Sequence, residues 1–208
     1  MDLKQLIDHT LLKPTATKAE IINLCREAGK FKFWSVCVNP VWVKLAKQQG
    51  VRVTSVIGFP LGANTLAVKV AEAQQAIKDG ADELDVVMNL SWLKMGKVED
   101  LKLGLKTFAS ACQGRVVKII IETCYLTDKE KVLAAKLVKQ SGADFVKTST
   151  GFGSSGATVA DVKLLRKVVG PDFGVKASGG IKTKAQALAM IKAGANRLGT
   201  SSSVAICR

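Results

Sequence analysis

IKDGADELDVV (Ile77 to Val87) packs a helix end, a glycine stop and a short β-branched strand into one phrase. Glycine there suits the left-handed backbone of a helix C-cap, and an apolar strand follows at once. The phrase returns as VKQSGADFVKT (Val138 to Thr148) and IKAGANRLGTS (Ile191 to Ser201). Gly29, Gly50, Gly114 and Gly170 mark further expected stops. Helix starts repeat as well: Thr17 with Glu20, Thr127 with Glu130, Thr158 with Asp161, and Thr183 with Gln186. Each threonine stands three residues before an acid or amide, the spacing of a capping box.

Between these signals the strands read as Trp34 to Asn39, Val51 to Ile57, Glu83 to Met88, Val116 to Glu122, Asp144 to Ser149, Phe173 to Ser178 and Asn196 to Thr200. Leu6 to Thr10 is a possible eighth. Strict alternation of strand and helix with short connections requires a parallel sheet, because every crossover helix packs back on it. Eight units close that sheet into a barrel. The expected fold is therefore α/β: a single (β/α)8 TIM barrel, one domain over residues 1–208, with a short final helix after GTSS (Gly199 to Ser202). A doubly wound open sheet is the alternative, but no G-x-G-x-x-G follows the first strand.

Composition narrows the function. Although 48% of the residues are apolar, no run approaches the roughly 18–20 residues of a membrane span, and MDLKQLIDHT lacks a signal-peptide apolar region. A cytoplasmic protein with no membrane partner is expected. Cys25, Cys37, Cys112, Cys124 and Cys207 are widely spaced, and a single histidine accompanies them, so neither disulfides nor a metal site is expected. The net charge of +14 raises the question of a nucleic-acid partner. Lys129, Lys131, Lys136 and Lys139 instead fall on the polar face of a predicted helix among acids, without a platform of aromatics. No nucleic-acid partner is expected, whereas attraction of an anionic small molecule is.

Two lysines sit in near-copies of one phrase, DFVKTSTG (Asp144 to Gly151) and DFGVKASGG (Asp172 to Gly180). Lys147 and Lys176 should lie at matching depths on neighbouring strands. At about 5 Å and an effective dielectric of about 20, their repulsion is roughly 3 kcal/mol, enough to drive one proton off. A neutral amine attacks carbonyls, which points to Schiff-base chemistry. Period-two alternation also aims Glu83, Asp85, Val87 and Asn89 to one side of their strand, and Val116, Lys118, Ile120 and Glu122 to one side of theirs. For Lys118 and Glu122 a functional and a scaffolding role are equally open.

IDHTLLKP, CVNP, IGFPLG, ELDVVMN, KIIIET, VKTSTGF, VKASGGI and GTSS occur in this order from Ile7 almost to the C-terminus. Together they resemble the deoxyribose-phosphate aldolase family. The resemblance implies a class I aldolase acting on a small phosphorylated sugar and aldehydes: 2-deoxy-D-ribose 5-phosphate would be cleaved reversibly to acetaldehyde and D-glyceraldehyde 3-phosphate. No metal or organic cofactor is implied. The Schiff-base lysine falls on Lys147, the second lysine on Lys176 and the acid/base aspartate on Asp85. Gly151, Gly179, Gly180, Gly199, Ser201 and Ser202 are implied to meet the phosphate, and Asp8 and Thr10 to contact substrate. Small residues at strand-to-helix turns suit an anion for a physical reason too, since backbone N–H groups can then approach it. His9 reads as a packing or hydrogen-bonding residue, and Trp34, Trp42 and Trp92 as core or interface. A homodimer is a possible assembly. The alternatives are a related Schiff-base aldolase or transaldolase on another phosphorylated sugar, and a basic barrel that binds nucleic acid without catalysis.

Overall fold

The computed structural model describes residues 2–112 and 114–208. The strands are β1 (Ile7–Leu11), β2 (Ser35–Val38), β3 (Val53–Ile57), β4 (Glu83–Val87), β5 (Val116–Ile120), β6 (Phe145–Lys147), β7 (Gly174–Ser178) and β8 (Arg197–Thr200). All neighbours pair in parallel, and β1 also pairs with β8, closing the barrel. The helices are α1 (Lys18–Phe31), α2 (Val43–Lys47), α3 (Leu66–Lys78), α4 (Leu90–Lys94), α5 (Val98–Ala111), α6 (Asp128–Gln140), α7 (Val159–Val169), α8 (Lys184–Lys192) and α9 (Ser203–Cys207). The last is a single short turn, as expected.

The cap signals work as read. Thr17, Thr127 and Thr183 form reciprocal capping boxes, and Thr158 accepts the Asp161 N–H, each cap contributing about 1 kcal/mol. Gly80, Gly142 and Gly194 take φ of 104°, 86° and 113°, backbone a β-carbon would oppose. Gly29 is a correction. It lies inside α1, which runs on to Phe31, and Lys32 takes the left-handed position with φ 57°.

The repeated phrase has a second use not legible in the one-dimensional pattern. Asp82, Asp144 and Asn196 occupy the same place in its three copies. Their side chains accept the amides of Val53, Val117 and Val175, each the first or second residue of the preceding strand, at 2.8, 2.8 and 3.0 Å. Their own N–H groups donate to the carbonyls of the same three valines. Each unit thereby clamps the start of the previous strand, satisfying backbone groups that a strand end would leave unpaired.

Strand alternation divides the interior in two. Val36, Val53, Leu84, Val86, Val117, Ile119, Val146, Val175 and Leu198 face outward and form one core with the helices. Glu83, Asp85, Lys118, Lys147, Lys176 and Arg197, at the alternate positions, are buried inside the barrel. Among the described residues no helix is long and apolar enough to cross a membrane.

Candidate active site

Lys147 and Lys176 are register partners across β6 and β7, at the matching depth their sequence phrases imply. Asp85 reaches both: its Oδ2 lies 2.8 Å from Lys147 Nζ and 2.7 Å from Lys176 Nζ. Its Oδ1 accepts from Lys118 at 2.8 Å, and Lys118 also pairs with Glu83 at 2.6 Å. Lys176 binds Asp8 at 2.5 Å, and Arg197 joins Asp8 and Glu83 at 2.9 and 3.0 Å. Ser35 donates to Asp8, and Trp34 Nε1 to Glu83. The result is one continuous buried network through seven strands.

Its charges do not balance. Among the described residues, Lys118, Lys147, Lys176 and Arg197 pair only with Asp8, Glu83 and Asp85. An uncompensated charge inside a barrel is costly, so one cation should give up its proton. Burial pushes the Lys147 amine down, opposed by Asp85 and reinforced by Lys176. For Lys176 burial acts downward too, but Asp8 and Asp85 outweigh it and hold the ammonium above its usual range. Arg197 is raised in the same way by Asp8 and Glu83. The bond from Lys147 to Asp85 favours an ammonium, yet a neutral amine can donate the same hydrogen, and the surplus of cations decides for the amine. The expected cause needs amending. Desolvation is the main reason Lys147 is depressed, and the repulsion from Lys176 is partly answered by the carboxylate lying between them.

Burial would raise the carboxyl of Asp85, but Lys118, Lys147 and Lys176 hold it well below the usual range. Asp8 is likewise depressed, with Lys176 and Arg197 overcoming burial. Both carboxylates are anions at neutral pH.

Above this network opens a cavity of about 230 Å³. Lys147 lies on its wall, with Thr10, Thr150, Gly151, Ser178 to Lys182 and Gly199 to Ser202 around it. Lys176, Asp85 and Asp8 are fully buried beneath. Of the seven network groups, Lys147 alone lines the cavity. The implied phosphate residues gather on one side: the turn after β7 faces the turns after β6 and β8. Close packing demands the glycines there, since a β-carbon on Gly156 would fall 2.2 Å from the Gly179 carbonyl, and one on Gly199 3.1 Å from Lys176 Cε. The Ser202 N–H already donates to Thr200 Oγ1 at 2.9 Å, which leaves its hydroxyl as the group free to meet a ligand.

A model of the DeoC/LacD family aldolases matches residues 3–208. The chain belongs to that aldolase family. A deoxyribose-phosphate aldolase of Thermococcus gammatolerans is 58% identical over 99% of this chain and 95% of its own length. One from Streptococcus gordonii is 54% identical over 100% and 96%. Among solved structures, an aldolase designated QR15 superposes with a TM-score of 0.96 at 42% identity, covering 100% of this chain and 95% of its own. The tetrameric deoxyribose phosphate aldolase of Aeropyrum pernix gives 0.92 at 40% identity, covering 99% and 89%.

Within this aldolase barrel Asp8 sits elsewhere than implied, while Thr10, His9, Trp42, Trp92 and Cys37 lie where the sequence reading put them. Asp8, implied to contact substrate, sits under the cavity floor holding Lys176 and Arg197, so it is placed to act through Lys176. Thr10 does line the cavity, its hydroxyl donating to the Asp8 carbonyl at 2.8 Å. His9 bridges Ser203 and Glu27, both at 2.9 Å, and tilts against Phe33, a packing role. Trp34 is stacked between the guanidinium groups of Arg52 and Arg197, while Trp42 and Trp92 pack on the core. Cys37 is buried with Leu12 and Val56, and burial raises its thiol. The described cysteines are all free. Lys13 and Lys182 border the cavity and were missed in the sequence. The only signal for them is the overall basic excess, which has no address until the loops converge.

Proposed function

We propose that the chain is a class I deoxyribose-phosphate aldolase, cleaving 2-deoxy-D-ribose 5-phosphate reversibly to acetaldehyde and D-glyceraldehyde 3-phosphate with Lys147 as the Schiff-base nucleophile. The observation that carries this reading is the unbalanced network whose one depressed amine lies on the cavity wall. Burial depresses that amine, which enlarges the fraction present as free base near pH 7. The Lys147 amine adds to C1 of the open-chain aldehyde, and loss of water leaves a protonated imine. Removal of the C3 hydroxyl proton then sends the C2–C3 bonding pair into the imine, releasing D-glyceraldehyde 3-phosphate and leaving an enamine. Protonation at C2 and hydrolysis return acetaldehyde and the free amine.

The iminium restores a positive charge at Nζ, directly facing the anionic Asp85 at 2.8 Å, so the network is arranged for the charge that develops. The chain Lys147, Asp85, Lys176 is the path for protons exchanged at the imine stages. Gly151, Gly179, Gly180, Gly199, Ser201 and Ser202 would bind the phosphate, with Lys13 and Lys182 adding charge at the rim and Thr10 meeting the sugar. The reading keeps the enzyme cytoplasmic, with a homodimer as one possible assembly, and without nucleic-acid or membrane partners.

Borohydride reduction with acetaldehyde present should leave a two-carbon adduct on Lys147, located by peptide mass mapping. Trapping of a ketose instead would indicate a transaldolase, and no adduct on Lys147 would overturn the proposal. Gly156→Ala should raise KM for the phosphorylated sugar on the order of tenfold by displacing Gly179, while acetaldehyde trapping persists. Steady-state kinetics beside the trapping assay checks this.

A further inference from the structure

Glu122 is used by none of the steps above, yet its setting is unusual. Its backbone lies in the left-handed region at φ 48°, and among the described residues only Lys32 shares that trait without being glycine. Lys32 is an exposed helix cap, whereas Glu122 is 2% exposed. Such a conformation costs a side-chain-bearing residue about 1 kcal/mol or more and calls for compensation.

The ladder between the ends of β5 and β6 explains the geometry. Ile121 N–H donates to Lys147 O at 3.0 Å, and Thr123 N–H to the very next carbonyl, Thr148 O, at 2.9 Å. Two residues on one side thus answer one on the other, with Glu122 as the extra residue of a β-bulge. A bulge re-aims a side chain at a sheet end. Here the carboxylate turns toward the segment after Lys147. It accepts the Thr150 N–H at 3.1 Å and, in a short bond, the Thr150 hydroxyl. Thr150 Oγ1 in turn accepts the Phe152 N–H at 3.0 Å. Gly153 closes over the same carboxyl, where a β-carbon would come within 3.4 Å of Glu122 and 2.6 Å of Cys124 Sγ. Thr150, Gly151 and Phe152 all line the cavity.

We propose that Glu122 is a positioning residue: its bulged carboxylate holds the Thr150 to Phe152 segment in the shape that receives the phosphorylated substrate, without touching the reacting atoms. The inference rests on the aldolase reading. Removing the acceptor leaves a buried N–H and a hydroxyl unpaired, so the segment relaxes while the amine beneath keeps its own partners.

Three variants test it. Glu122→Ala should raise KM for deoxyribose 5-phosphate on the order of tenfold, and Glu122→Gln, which keeps one acceptor oxygen, about threefold. Glu122→Gly relieves the backbone yet should match Glu122→Ala, because the contact and not the strain is what matters. Acetaldehyde trapping on Lys147 should stay within about twofold in all three, which also shows that the barrel is folded. The proposal is overturned if KM does not move, if Glu122→Gly behaves as the unaltered protein, or if trapping falls as far as KM rises. Failure of the unaltered protein to trap acetaldehyde on Lys147 would sink the aldolase reading instead.

Discussion

Lys147→Leu is expected to abolish the borohydride-trapped adduct and to lower turnover on the order of 10⁵-fold, because no other amine of the buried network reaches the cavity. The cost to stability should be small. Leucine fills similar volume, and because the Lys147 amine is neutral its loss still leaves Lys118, Lys176 and Arg197 facing Asp8, Glu83 and Asp85, a balanced set. Asp85 loses one of three lysine donors and keeps two. A change of about 1 kcal/mol or less in unfolding free energy is therefore expected, measured by denaturant titration. Intact stability with no adduct separates a nucleophile from a scaffold lysine. A surviving adduct elsewhere in the barrel, or residual turnover within tenfold of the unaltered protein, would remove Lys147 from the mechanism.

The second large effect comes from Lys176→Leu and runs through proton affinity. With Lys176 gone, Lys118, Arg197 and Lys147 face the same three carboxylates, and balance now requires Lys147 to be protonated. The sign follows from the neighbours of Lys147: a repelling cation is lost, and Asp85 is shared with one partner fewer. Both changes raise the Lys147 proton affinity. In the unaltered protein, activity should fall as pH drops through the depressed Lys147 value. In the variant that limb should move alkaline, so trapping near pH 7 falls on the order of a hundredfold and recovers in part at higher pH. Asp8 retains Arg197 and Ser35, which limits the damage, but breaking a buried pair still costs a few kcal/mol, about 3 to 5 in unfavourable cases. The measurement is a pH profile of acetaldehyde trapping. A loss of rate with no alkaline displacement would mean that Lys176 does not govern the ionisation of Lys147.

Much of this site could be read from residue order. The copies of the Gly-Ala-Asp phrase and the threonine caps are local signals, set by backbone conformation and side-chain reach, and they placed each of seven strands within two residues of where it forms. The alternation that sent Asp85 and Lys118 inward is local too, since a strand has only two faces. Gly29 misled because a glycine inside a helix and one at its end look alike in sequence, and packing over Ala28 carried α1 one turn further. Asp8 was assigned to the substrate by resemblance. Its charged partners lie on β7 and β8, at the other end of the chain, and nothing near residue 8 announces them.

The order of residues alone determined the alternation of elements, hence a closed parallel barrel, and the equal depth of Lys147 and Lys176, hence two amines crowded together. Only the folded barrel gives the physical reason for preferring Lys147, which the resemblance had merely implied. The count of four cations against three carboxylates, the burial of Lys176 under the cavity floor and the exposure of Lys147 to its wall all depend on strands distant in sequence. The bulge that turns Glu122 toward Thr150 depends on β5 meeting β6. Proton affinity is a property of surroundings, and in a closed barrel those surroundings are assembled from both ends of the chain at once.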